Sequence, residues 1–499
     1  MGAFSVWHWF IVAMIFVPFL MKFRGQMKSN PSVSNYAYSV SQYICAALHT
    51  GLINPMGVID RLEDRHRAKL PELGLNTVRV LSEAKYARQR NFVTSLALLV
   101  PTFWIIALVF DYRLVEEGEY SLEEYFLFFL KPLVLAAIIL FAKEILTTHY
   151  LRKKIVGSEG LRRQVVGSDE DTGDRNKQNV VIFGGFSPFA GYGSDHDGWS
   201  FTIDASKAAD KRAEKPDQFT QIELLDFIAA KLKLNVEHGE MEDRIFISGR
   251  QIRGNNLFLA NVTATPNTYI EQEFVESKIG TPDQDTRHYR VLSIPISSGH
   301  LFLTFFLRST MLGNSLFIES RRFLLPPIKN EYMDLNELPV KRGVKYYLSV
   351  LSQKLVLAPF QWLYGPYYLL LEIGRFKSAV ARALFGHPED KLKAKHEGYN
   401  YGHYASLREE WASNTYQSYF QMLDKDMVSK TCEHVIINSI VDFLDEKGVA
   451  TDDIKERRTQ IFNSGVMVSG GVVNAQQLAV GANAKVKAKI SKTFAPQSS

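Results

Sequence analysis

Sixteen residues, GGFSPFAGYGSDHDGW (Gly184–Trp199), hold the densest chemistry-bearing pattern in the chain, directly after the apolar run VVIF. Three chemical readings compete there. A phosphate-cradling P-loop needs Gly-Lys-Ser/Thr after its glycines, because the lysine must meet the β- and γ-phosphates. The segment has no lysine. A nucleophile elbow needs Gly-x-Ser-x-Gly, and Gly185, Phe186 and Ser187 fit, but Pro188 follows. Proline has no N–H to donate to an oxyanion, which removes that reading. What remains is an anion or metal loop around Gly184, Gly185, Asp195, His196 and Asp197. Two carboxylates and a glycine are also ordinary turn chemistry, so the plain alternative is a tight connection packing Phe186, Phe189 and Trp199.

A second group is Arg287, His288, Tyr289 and Arg290, with Arg308, Arg321 and Arg322 on neighbouring strand-like runs. If those strands pair, several guanidinium groups share one surface and hold a phosphate or lipid headgroup; the alternative is a solvated strand face. A third group, Lys395, His396, Glu397 and His403, lacks zinc spacing and sits among tyrosines and glycines that favour a loop. The ligand-binding candidates are therefore Gly184, Gly185, Asp195, Asp197, Arg287, Arg290 and Arg308. No catalytic residue, metal or cofactor is assigned.

The elements that must position these residues divide between lipid and water. The 499 residues are 46% hydrophobic yet 22% charged, so most of the mass faces water, and the length suits two or three units. A net charge of +5 gives no concentrated basic face, and no nucleic-acid partner is expected. Cys45 and Cys432 make neither a disulfide framework nor a zinc set, which suits a reducing compartment.

Phe92–Phe110 carries no charge, and Phe126–Ala142 follows after a short acidic loop, so the pair reads as a transmembrane hairpin. Phe4–Met21 opens the chain with no basic residue before it and reads as a retained anchor. Lysine and arginine crowd the segments 22–90 and 143–163, while loop 111–125 is acidic. Basic residues mark the cytoplasmic side. Three spans in the plasma (inner) membrane, N-terminus outside and bulk cytoplasmic, are the expectation.

From Val180 to about Pro327 the runs VVIF, WSFTI, RIFIS, NLFLA, YRVLSIPI, HLFLTFFLR and SLFIES read as strands, with one helix near Gln218–Leu234. Val344–Leu371 is apolar but broken by Pro359 and Gly365-Pro366, with basic residues flanking both ends alike. An interfacial hairpin is the preferred reading, beside core packing or a fourth span. Ser406–Gly448 reads as helical with Gly448 as its stop, and a second helix follows over Thr451–Phe462. The Gly/Asn/Ala-rich tail from Asn463 alternates like short β rungs and needs partners, so a homo-oligomer is expected.

The expected architecture is an integral membrane α-helical anchor of three spans, a cytoplasmic α+β domain, and a helical C-terminal region ending in a β-rung tail. Its boundaries are an anchor helix over 1–24, a basic segment over 25–91, a hairpin over 92–147, and a linker over 148–179. The α+β domain follows over 180–330, the interfacial hairpin over 331–400, the helical region over 401–462 and the tail over 463–499.

FSVWHWFIV resembles the amino-terminal anchor of the small twin-arginine translocase subunits, which implies only a membrane anchor. The words FGGFSPFAG and FLLPP, with TRHYRVLSIPISSGHLFLTFFLR and YFQMLDKD, resemble a family of uncharacterised bacterial membrane proteins over roughly Asn179–Ala484. That resemblance implies an anchored cytoplasmic module without an assigned activity. The tail resembles β-rung tails of bacterial conflict-system proteins. Together these point to a non-enzymatic sensor, scaffold or membrane-perturbing effector, in bacterial defence, with the bilayer and its anionic headgroups as partners. The alternative is a membrane-tethered enzyme acting on a phosphorylated or lipid substrate.

Overall fold

The structure, a computed structural model, describes residues 38–110, 122–156, 178–209, 215–236, 238–281, 283–337 and 343–456. Its centre is a six-stranded mixed sheet of order β1-β3-β4-β5-β6-β2. The strands are β1 (Val180–Phe183), β2 (Ser194–Asp204), β3 (Glu240–Ser248), β4 (Thr286–Ile296), β5 (Leu301–Leu312) and β6 (Ser315–Leu325). β1 lies parallel to β3, and the other pairings are antiparallel. Alternation of side chains sends successive residues to opposite faces, so Leu303, Phe305 and Leu307 point one way, and Phe302, Thr304 and Phe306 the other.

The helices are α1 (Val40–Thr50), α2 (Pro55–Leu62), α3 (Thr77–Phe110), α4 (Leu122–Tyr150), α5 (Gln221–Asn235), α6 (Gln272–Ser277), α7 (Val344–Gln361), α8 (Tyr364–Phe385), α9 (Pro388–Lys395), α10 (Leu407–Glu410) and α11 (Tyr419–Glu446). One sheet face is covered by α5 and α11, whose Leu225, Ile228, Ile436 and Ile440 bury against Leu303, Phe305 and Ile318. Each such side chain taken from water contributes about 1.5–3 kcal/mol. A Thr220–Glu223 capping box starts α5, and α11 stops before Gly448, which adopts φ 75° as its predicted role requires.

The other face is closed by an aromatic cluster. Phe189, carried by the Gly-rich segment, inserts between Phe306 (ring centroids 4.3 Å), Phe323 (4.7 Å) and Tyr289 (5.2 Å). Beyond it, α1, α2 and the first turns of α3 form their own core with Ile328, Tyr332, Leu407 and Trp411. α3 then runs on as one arm of a four-helix bundle: α4 and α8 pack on α3, and α7 packs on α4.

This arrangement overturns the three-span anchor. Among the described residues one helix, Thr77–Leu108 within α3, is long and apolar enough to cross a membrane, and 33% of its apolar window is buried. The expected middle span is the outer part of a helix that starts at Thr77, where Asn76 accepts the Arg79 N–H at 2.9 Å and Val80, Ala84 and Ala87 are buried in the core. Apolar residues assigned to lipid partly face other helices instead, as Leu98, Ala136 and Leu140 do against Trp362. The expected span over 4–21, and with it the outside placement of the N-terminus, lies outside the described residues, as does the β-rung tail.

Smaller corrections follow. NLFLA is a turn-rich loop rather than a strand, and its Phe258 and Leu259 fill the core beside β3. The helix expected from Ser406 is instead the single turn α10, an irregular stretch, and then α11 from Tyr419. The chain turns helical again over 452–456. Val344–Phe385 is a helix–turn–helix whose break falls between Gln361 and Tyr364.

Candidate functional site

The structure disperses the candidate residues. Gly184 is a crossing point: its N–H donates to the His403 carbonyl at 2.8 Å, and Asn400 Nδ2 donates to its carbonyl at 2.9 Å. A Cβ there would stand 2.7 Å from the Gly402 carbonyl oxygen, and one on Gly249 would stand 2.2 Å from Gly402 N. These glycines let three backbone segments pass, which is a packing role. Gly185 follows at the rim, beside Tyr404. Phe186, expected inside, projects fully into solvent.

Asp195 and Asp197 lie on edge strand β2 rather than in a loop, on either side of a register shift. Asp197 accepts from Arg322 Nη2 at 2.5 Å, while Arg322 Nη1 donates to Ser429 Oγ at 2.9 Å and to Glu433 at 3.1 Å. Lys425 Nζ lies 3.0 Å from His196 Nε2. Burial first, then Lys425 and Arg322, holds the His196 imidazole below its usual range, and burial lifts the Glu433 carboxyl. The cluster docks α11 onto the sheet edge. Its single hydroxyl, Ser429, accepts from the same Arg322 Nη1 that binds Glu433, and no hydrogen bond joins Ser429 to Glu433 or His196 among the described residues, so no nucleophile–base pair is formed there.

The arginines divide between the two faces of the sheet: Arg290 and Arg322 lie on the helix-covered face, whereas Arg287, Arg308 and Arg321 share the other. Arg290 faces α5 and binds Asp243 through Nε (2.9 Å) and Nη2 (3.0 Å) and Asp226 through Nη1 (2.5 Å), with His288 also on Asp243 at 2.8 Å. Burial alone would lift the Asp243 carboxyl; the His288 and Arg290 hydrogen bonds more than offset it and hold it at about 2. Arg308 points to the opposite face, 3.7 Å from Glu319, because register sets Arg290 opposite Leu307 and Arg308 opposite Glu319. Arg287 is exposed.

Sequence reasoning missed a second site, where the sheet meets the helices. Arg408, fully buried, donates from Nη2 to the carbonyls of His300 (2.8 Å) and Pro326 (2.7 Å). Glu72 accepts the N–H groups of Leu407 and Arg408, both at 2.8 Å, at the start of α10. Glu409 accepts those of Gly191 (2.9 Å) and Gly193 (2.7 Å). Burial raises Glu72 to about 7 and lowers Arg408 to about 10. A cavity of about 270 Å³ adjoins this joint, lined by Lys69, Glu72, Glu242, Arg244, Ser293 and His403 among others. Partners from 82 to 336 positions apart left no local signal.

The third feature is the bundle's exterior. Most large apolar side chains that are exposed among the described residues lie on α3, α4, α7 and α8. They include Val93, Phe103, Leu355, Leu370, Phe376 and Leu384.

The AbeC-like domain profile matches residues 198–474, more than half of the chain. The chain belongs to the AbeC-like family. The matched range takes in the sheet from β2 onward and the α7–α8 hairpin, while α3 and α4 precede it. The FGGFSPFAG run and the translocase-like opening lie upstream of that range and do not contribute to the assignment. No curated protein and no solved structure matches the chain.

Proposed function

We propose that this AbeC-like protein is a membrane-attached, non-enzymatic scaffold or sensor, whose four-helix bundle meets lipid and carries the sheet body on the cytoplasmic side. One observation carries the reading. Val93 is 65% exposed, Phe103 63% and Leu370 67%, on helices that belong to one contiguous bundle. A water-facing surface of that composition is unfavourable, whereas contiguous apolar exteriors mark membrane or protein contacts.

Charge supports the sidedness. Arg88, Lys143, Lys354 and Arg375 lie toward the sheet-proximal end, whereas Phe92–Phe110 is uncharged. The α7–α8 hairpin leaves and returns on the same side. Its turn meets α3 at Leu98, where a Cβ on Gly365 would stand 2.6 Å from Leu98 Cβ. Arg88 binds Glu372 lower down, ten residues and so about 15 Å of helix away. A hairpin that enters a leaflet partway has this shape. The polar networks of the sheet support the non-enzymatic part, since they act as joints between elements.

The test is fractionation of cells expressing the full chain, followed by a carbonate wash. Retention in the pellet is expected. Release of the protein into the supernatant overturns the proposal.

A further inference from the structure

An open groove of about 810 Å³ runs between α2, α3 and α8 at the base of the bundle. It is lined by the apolar Phe92, Ile373 and Phe376, by the cations Lys85, Arg88, Arg375 and Arg382, and by the carboxylates Glu63 and Glu372. Three of the cations are held by acids: Lys85 by Glu63, Arg88 by Glu372, and Arg375 by Asp60. Arg382 differs. Its Nε donates to the Ser378 carbonyl at 3.2 Å, and it has no carboxylate partner among the described residues. It sits on a stretch, Ile373–Phe385, that contains Arg375, Lys377 and Arg382 and no acid.

We propose that this groove binds one anionic phospholipid, with its phosphate at Arg382 and the paired cations, and the upper part of an acyl chain along Phe92 and Phe376. The inference rests on the lipid-facing reading of the bundle and names the lipid class it takes. Charge selects the headgroup, since a guanidinium without an acid partner is matched by a phosphate bearing net negative charge. Position selects a lipid over a soluble anion, because Phe92 and Ile373 in the lining continue into the exposed apolar residues Val93, Leu96, Leu370 and Leu371 of α3 and α8. Phe376 is 70% exposed and gains cover only from something apolar lying in the groove.

The experiment titrates full-length protein in non-ionic detergent with phosphatidylglycerol, phosphatidylcholine or glycerol 3-phosphate, and follows the thermal midpoint. Phosphatidylglycerol should give a saturable rise that the other two do not. Arg382→Gln, an exposed change, should weaken that apparent affinity about tenfold. Lys377→Gln, on the same helix but outside the groove lining, should leave it unchanged. Phe376→Asp should abolish the rise. Equal shifts with phosphatidylcholine, a full shift with glycerol 3-phosphate, or equal losses in the two cation variants would each overturn the proposal. A protein washed off membranes by carbonate that still binds phosphatidylglycerol through Arg382 would refute the attachment and keep the groove. The converse would refute the groove alone.

Discussion

The sheet and the bundle treat the same residue types in opposite ways. On β5, Leu303, Phe305 and Phe306 are enclosed between helices on one face and an aromatic cluster on the other. On α3 and α8, Val93, Phe103 and Leu370 point outward. A sheet covered on both faces leaves its apolar rows no route to solvent. Helices that touch along single seams, as α3 and α4 do at Leu98 and Ala136, leave their remaining sides uncovered. The sheet body encloses its apolar rows, and the bundle leaves many of its own exposed.

The largest expected effect lies at the joint that ties the two together. Arg408→Ala should cost about 3–5 kcal/mol in denaturant unfolding, because it leaves two carbonyls without their donor and Glu72 and Glu409 without a buried counter-charge. Asp243→Asn leaves His288 without its carboxylate and Arg290 with Asp226 alone, and should cost about 3 kcal/mol at neutral pH. The Asp243 carboxyl titrates at about 2 in the folded chain against an ordinary 3.8. Its contribution is therefore full above pH 3.8 and is lost as pH falls through about 2, so the gap between wild type and variant should close over that window. Gly184→Ala, pressing a methyl group against the Gly402 carbonyl, should cost about 2 kcal/mol.

These sites differ in how far they could be read from sequence. The runs that became the six strands were legible because they are short, apolar or alternating, and rich in β-branched and aromatic residues. NLFLA misled because a loop that plugs a core with Phe258 and Leu259 carries the same short apolar signature as a strand. Only the uncharged part of α3 from Phe92 stands out in the sequence, because its first fifteen residues are charged and pack on α1 and α2. Asp197 and Arg290 were visible as charges, but their partners were not. Arg322 lies 125 positions from Asp197, and Asp243 lies 47 from Arg290. Arg408 and Glu72 gave no hint at all, since capping by a distant carboxylate has no local spacing to detect.

The smallest effect on folding should separate the two regions most clearly. Phe103→Asp on α3 and Leu312→Asp at the β5–β6 turn alter side chains of similar exposure, 63% and 60%. Leu312→Asp should change unfolding stability by no more than about 0.5 kcal/mol. Only the change at Phe103 should lower the fraction of protein pelleting with membranes, and equal fractions would erase the distinction.

Spin labels at the same two positions, in full-length protein reconstituted into lipid nanodiscs, give the most direct reading. Collision with dissolved oxygen and with a water-soluble nickel chelate reports whether each position faces lipid or water. The label at 103 should be oxygen-accessible and chelate-protected, with the opposite at 312. Equal access of the chelate to both would contradict a lipid-facing bundle.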